Sequence, residues 1–133
     1  MIKVTTITQT VVIKAELSRV YGAFTNPLIH SAFTGAKATG GGKLGKFTAW
    51  DGYIYGSVVK LVKNKELVLD WMTTEWPSDY SASVVKITFT KKVDGTKIIL
   101  TQTKVPLTQA GSYRQGWKDF YWKPLKEYFK RTE

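Results

Sequence analysis

The 133-residue sequence has no cysteine, one histidine, three arginines and no apolar run approaching the roughly 18 residues of a membrane span. Each shortage excludes a class of chemistry. Without cysteine there are no disulfides, no thiolate nucleophile and no thiolate metal site, and a reducing compartment is permitted. With His30 alone, a nitrogen-based metal site lacks its second histidine. A Ser-His-Asp triad would need the fold to bring that one ring beside both partners. His30 is therefore expected at a helix surface or the edge of the core, with no metal and no cofactor. The N-terminus, Met1-Ile-Lys-Val-Thr-Thr-Ile-Thr, alternates where a leader would be continuously apolar. The chain reads as a soluble, unprocessed, cytoplasmic protein without a membrane span.

What is abundant is lysine. The formal net charge is +10, and only Arg19, Arg114 and Arg131 among the 20 basic residues are arginine. Such a charge points to an acidic partner or surface. The lysines are scattered, with no run longer than pairs such as Lys91-Lys92. Nucleic-acid readers favour arginine forks, so a solvated lysine surface is expected and a nucleic-acid site is not. A chain of this length suits one domain, residues 1–133, able to bury about two thirds of its extended-chain surface.

The pattern is strand-like at first. Thr6 to Lys14 alternates and ends in Val11-Val12-Ile13. Leu17, Val20, Tyr21 and Phe24 then follow the i, i+3, i+4, i+7 spacing of a short helix. Thr25-Asn26-Pro27 stops and restarts it, with Asn26 as cap and Pro27 as first residue of a second helix through Leu28, Ile29, Ala32 and Phe33, ending near Gly35. Hairpin signals divide the rest: Asp51-Gly52 between Lys46–Trp50 and Tyr53–Val62, Lys63-Asn64-Lys65 before Glu66–Thr73, and Asp94-Gly95 between Ala82–Lys92 and Thr96–Val105. Leu67, Leu69 and Trp71 share one strand face, as do Val85, Ile87 and Phe89. From Ser112 to Phe129 the period becomes helical again. Trp117, Phe120, Tyr121, Leu125 and Tyr128 fall on one arc of roughly 140°, and Ser112-x-x-Gln115 offers a capping box. The expected fold is α+β: a curved antiparallel sheet of six to seven strands around a long C-terminal helix, with two short helices after the first strand.

Chemistry-bearing motifs are few. Gly40-Gly-Gly-Lys-Leu-Gly45-Lys46 opens like a phosphate-binding loop, but Phe47 stands where a magnesium-binding Ser or Thr is needed and a strand follows where a helix should start. Asp70 sits beside Trp71 in an apolar strand and is expected on its wet face or against a lysine. Arg114 falls in the aromatic arc near a helix N-terminus, where the dipole disfavours a cation. Either a carboxylate such as Asp70 or Glu75 compensates it, or it stands at a pocket mouth or docking face. Trp76-Pro77 places a large aromatic at a loop, and Pro124 predicts an irregular turn near Phe120–Lys123.

The order of elements resembles the helix-grip fold of the START-like superfamily. Val20-Tyr-x-Ala-Phe-Thr25, Gly45-Lys-Phe47 with Asp51-Gly52 and Gly56, Trp71-(x4)-Trp76-Pro77, and Arg114-Gln-Gly-Trp117 with Phe120-Tyr121 are together similar to the C-terminal domain of activators of heat shock protein 90 ATPase. The similarity runs from about Ile7 to Phe129. Trp-Pro after its strand and Arg-Gln-Gly-Trp opening the last helix are its more specific parts, and they point to the eukaryotic co-chaperone branch.

The resemblance implies a non-enzymatic module that binds heat shock protein 90, contacts its N-terminal ATPase domains and modulates its ATPase cycle. Arg114, Gln115, Trp117, Trp76 and Pro77 are the expected partner-binding residues. The sequence begins at the C-terminal domain of that family, so an untethered module is expected to lose effective concentration. The alternative is a carrier or sensor of a small apolar molecule, with Trp50, Trp71, Phe89, Trp117 and Tyr121 lining a cavity between sheet and helix. An enzyme in that cavity would lack a convergent acid, base or nucleophile set.

Overall fold

A computed structural model describes residues 2–132. Its six strands are β1 (Val4–Ile13), β2 (Gly45–Ala49), β3 (Ile54–Val62), β4 (Glu66–Thr73), β5 (Ser83–Lys92) and β6 (Gly95–Pro106). They form one antiparallel sheet in the order β1-β6-β5-β4-β3-β2, so only the β1–β6 pairing is not a hairpin. Bulges between Thr5 and Ile7 and between Val58 and Lys60 help bend it. Between β1 and β2 lie α1 (Leu17–Thr25) and α2 (Pro27–Thr34). The Asn26 side chain accepts from the Leu28 N–H at 3.0 Å, Pro27 opens α2, and Gly35 closes it in the left-handed conformation. Phe33 is the buried residue of α2, whereas Leu28 and Ala32 face solvent.

Strand alternation delivers the concave face as expected. Leu67, Leu69, Trp71, Val85, Ile87 and Phe89 are buried, with Ile98 and Leu100 from β6 beside them. Gly56 faces Trp71 across β3 and β4, and a Cβ there would overlap the Asp70 carbonyl, so only glycine permits this approach.

The C-terminal segment comprises α3 (Ala110–Trp117), a π-turn (Lys118–Trp122) and α4 (Lys123–Arg131). Pro124 has no N–H for the Phe120 carbonyl, and the chain widens instead: the Lys123 N–H reaches the Lys118 carbonyl, an i→i+5 bond. The irregular turn thus falls where Pro124 predicts it. Its effect on the buried face differs from the expected arc. A π-turn adds one residue to the helical period, so the buried set steps from Tyr113, Trp117 and Tyr121 to Trp122, Leu125 and Phe129. Phe120 is expelled to 53 % exposure, and Phe129 takes the place expected for Tyr128, which is half-buried. The capping box does not form either. α3 starts at Ala110, two residues before Ser112, and the Gln115 amide bonds Asp119 instead.

Polar bonds as well as apolar contact hold this helix on the sheet. The Trp117 indole N–H donates to Gln102 Oε1 at 2.9 Å, Gln102 Nε2 donates to Ser83 Oγ at 3.0 Å, and that hydroxyl donates to the Trp71 carbonyl at 2.7 Å. Gln102 and Ser83 are fully buried. A buried amide that loses its partners keeps the desolvation cost without the bond. Gln102→Leu should therefore lower unfolding free energy by about 2–3 kcal/mol, because it strands both the Trp117 donor and one lone pair of Ser83. Urea unfolding measures it, and a change below about 0.5 kcal/mol would rule out this network as the helix anchor.

Candidate functional site

Trp50 and Asp51 adopt positive φ (53° and 58°), a conformation that a bulky residue rarely takes. Lys37 holds them there: its N–H donates to Asp51 Oδ1 at 2.9 Å and its carbonyl accepts from the Asp51 N–H at 3.0 Å. This strained corner projects the Trp50 ring against the expelled Phe120, edge to face at 5.3 Å. Beneath them is a cavity of about 420 Å³ between β3, β4 and the C-terminal helix. Ile54 and Trp71 line it from the sheet, Tyr53 and Trp50 from the corner, and Ser112, Tyr113, Gly116, Trp117, Phe120 and Tyr121 from the helix. No ionisable acid or base other than the tyrosines borders it.

The polar ends of these aromatics are mostly engaged. The Tyr113 hydroxyl donates to Gln109 Oε1 at 2.9 Å and takes a bond from Thr73 Oγ1 at 2.8 Å. Burial outweighs the Thr73 bond and pushes its pKa up to about 12. The Tyr121 hydroxyl lies 2.9 Å from His30 Nε2, and burial raises this phenol strongly. His30 is partly buried, stacked on Phe33, and desolvation lowers its pKa to about 4, so the ring is neutral at pH 7. The Trp50 indole N–H lies against the Tyr121 hydroxyl but is buried without an acceptor in hydrogen-bond geometry. His30 thus sits at the edge of the core, as expected, in a pairing with Tyr121 that no spacing in the sequence reveals.

The expected site residues divide. Trp50, Trp71, Trp117 and Tyr121 do line one cavity; Phe89 does not, because it packs on Tyr21 and Phe24 farther along the core. Trp117, only 4 % exposed, belongs to that interior and not to an outer docking face. Arg114 and Gln115 are exposed. Arg114 lies outside the buried face because Tyr113 occupies the inward position, and among the described residues it makes no ion pair with Asp70, Glu75 or any other carboxylate. Its guanidinium approaches only the Thr6 carbonyl, at 3.5 Å. Trp76 is half-buried, stacked on Tyr113 at 5.9 Å with its N–H donating to the Ser81 carbonyl at 3.0 Å, so packing accounts for much of this ring. Half-buried Pro77 follows it. Gly40 and Gly41 lead through a bend into β2 with no helix behind them, and no group of three or more metal-ligating side chains occurs among the described residues. Sequence reasoning missed Tyr53, Ile54, Ser112, Tyr113, Gly116 and Phe120 as lining residues; the four-residue rhythm Tyr113-Trp117-Tyr121 was the available signal.

A family model described as "Activator of Hsp90 ATPase homolog 1-like protein" matches residues 14–130. The chain belongs to this family. Activator of 90 kDa heat shock protein ATPase homolog 1 from Homo sapiens is 32 % identical over 110 residues, covering 82 % of this chain and 32 % of the human protein. The chain therefore spans about a third of the length of the curated relatives it matches. An HSP90 activator from Plasmodium falciparum superposes with a TM-score of 0.86 at 21 % identity, covering 94 % of this chain and 96 % of that one. A protein from Mesorhizobium loti gives 0.80 at 23 % identity, with 97 % and 99 % covered. These structures share the helix-grip fold across the activator family and bacterial proteins alike. No helix among the described residues is long and apolar enough to cross a membrane.

The neutral His30 gives this chain a pH dependence of definite sign. Its folded pKa of about 4 lies below the ordinary 6.5, so the unfolded chain binds more protons between those values. The contribution is present above about pH 6.5 and is lost as the pH falls toward 4. A destabilisation of roughly 1–3 kcal/mol over that window, discounted for partial solvent contact, is expected from this residue. His30→Gln keeps a partner for Tyr121 and should remove that part of the loss; parallel Tm-versus-pH curves for variant and wild type would refute it.

Proposed function

We propose that this protein is a co-chaperone module that binds heat shock protein 90 and stimulates its ATPase cycle from the cytoplasm, without catalytic chemistry of its own. The observation that carries this reading is family membership over residues 14–130, together with a human relative bearing the activator name. Charge supports it independently. With a net charge of +10 the only ion pairs among the described residues join Glu66 to Lys60 and Lys86, at 2.8 and 3.3 Å. Most of the positive charge is left for a partner with an acidic surface, where it would steer association and set its salt dependence.

Within that surface the turn Arg114-Gln115 is the proposed contact, with the Trp76-Pro77 corner nearby in the fold through Tyr113. The Arg114 carbonyl accepts from Gln9 Nε2 at 2.9 Å, which fixes the backbone while the guanidinium stays at the surface. A planar fork held at a fixed point suits a carboxylate on the partner.

A second reading, a carrier or sensor of a small apolar molecule, is supported by the 420 Å³ cavity beneath the helix. A filled interior would have argued against it. The two readings use opposite faces of α3 and do not compete.

The test is titration of purified heat shock protein 90 with this chain at low and physiological salt, measuring binding and ATP turnover. Wild type should bind and raise turnover, more strongly at low salt. Arg114→Ala should weaken binding about three- to tenfold with an unchanged Tm. Absence of both binding and stimulation at low salt would end the co-chaperone reading.

A further inference from the structure

The cavity has features that packing alone does not explain. The pocket is open on one side, where Ser112 and Phe120 are exposed, and it has the size of a small-ligand site. Gly116 is the penultimate residue of α3, and because the chain continues directly into the π-turn it occupies a helix-interior position, where glycine costs about 1 kcal/mol relative to alanine. Nothing in the protein requires it there. Its φ is not positive, and an added Cβ would meet only the Phe120 ring, at 3.8 Å. A methyl group at this position would stand in the cavity, so the glycine keeps space that the protein itself leaves unused. The positive φ at Trp50 and Asp51 belongs to the β2–β3 turn, which sets the Trp50 ring beside the pocket, and Phe120, displaced outward by the π-turn, lies against it edge to face as an exposed aromatic cover.

Chemistry narrows the occupant. The walls are mainly aromatic rings, with Ile54, Gly116 and Ser112 among them; the Tyr113 hydroxyl is committed to Gln109 and Thr73, and the Trp50 N–H is left as one neutral donor without an acceptor. An anion would find no lysine or arginine among the lining residues. A cation would gain from aromatic faces but would enter a protein of net charge +10. We propose that this cavity binds a neutral, flat, apolar molecule of about naphthalene size, that Gly116 holds the space open for its ring, and that Phe120 closes over it. The proposal rests on the carrier reading of the cavity and adds to it the class of ligand and the residues that admit it.

Three probes with one ring system test it: 2-naphthalenemethanol, 2-naphthoate and 2-naphthylmethylammonium, titrated against the full chain by calorimetry and tryptophan fluorescence. The neutral probe should bind at least about tenfold more tightly than either ion. Gly116→Ala should weaken the neutral probe about fivefold or more while raising Tm by a few degrees, opposite signs that a purely structural glycine would not give. Phe120→Ala, a change at an exposed side chain, should speed probe release several-fold. Equal binding of the three probes overturns the neutral assignment but leaves the carrier reading standing. Unaltered affinity in Gly116→Ala, or unaltered release in Phe120→Ala, removes the role given to that residue. Binding of none of the three overturns the carrier reading and the proposal with it.

Discussion

The hydrogen-bonded chain from Trp117 through Gln102 and Ser83 to the Trp71 carbonyl sets the geometry of everything around it. Apolar contacts between a helix and a sheet tolerate sliding and rotation, because one methyl group replaces another at small cost. A wholly buried amide does not, since each of its polar atoms needs a partner in a narrow range of distance and angle. Gln102 therefore admits one axial position and one rotation of the C-terminal helix. With Trp117 fixed, Tyr113 falls one turn earlier beside Thr73, and Tyr121 falls one turn later beside His30. Three aromatics at intervals of four residues each end in a polar bond to a different element: the end of β4, the centre of β6 and α2.

The π-turn lets one helix satisfy two surfaces that a regular period would not reach together. Up to Tyr121 the buried residues follow the middle of the sheet; from Trp122 they turn toward β1, where the Trp122 N–H donates to Gln9 Oε1 at 2.7 Å, and toward α1, where Arg19 lies over the Phe129 ring. The buried line Tyr113-Trp117-Tyr121-Leu125-Phe129 advances four residues at a time, a drift of roughly 40° per step at a regular 100° per residue that the wider turn takes up. Pro124 makes this arrangement inexpensive, because the α-helical bond it interrupts is the one the wider turn gives up. The displaced residue, Phe120, comes to rest over Trp50 and shapes the cavity mouth.

How legible this was from sequence follows from which signals are local. The strands, hairpins and two short helices could be read because alternation, Asp-Gly pairs and the Asn26-Pro27 restart act within a few residues. Pro124 announced an irregular turn for the same reason. The turn's consequence could not be read, since a helical wheel assumes a constant period, and that assumption placed Phe120 and Tyr128 inside in preference to Trp122 and Phe129. Arg114 was assigned to the aromatic arc by the same wheel; the true buried line through Tyr113 leaves it outside. Phe89 was apolar and inward, as expected, but which part of the core it joins depends on α1, a tertiary fact. The pairing of His30 with Tyr121 spans 91 residues and has no local trace.

The inner and outer faces of α3 carry different demands, and the anchoring bonds keep them independent. Tyr113 and Trp117 face inward and are tied to Thr73, Gln109 and Gln102, while Arg114 and Gln115, one and two residues on from Tyr113, face solvent. A molecule entering the cavity can alter a partner's affinity only by as much as it binds the partner-competent conformation better than any other. A helix held at three points by buried polar groups has little alternative conformation to offer, so occupancy by itself has small leverage on Arg114. The element free to respond is Phe120, which is exposed, sits at the one irregular turn and touches Trp50 at the rim. Any coupling between a molecule inside and the proposed partner outside would therefore run through the π-turn, with the helix backbone of α3 as the fixed frame against which it moves.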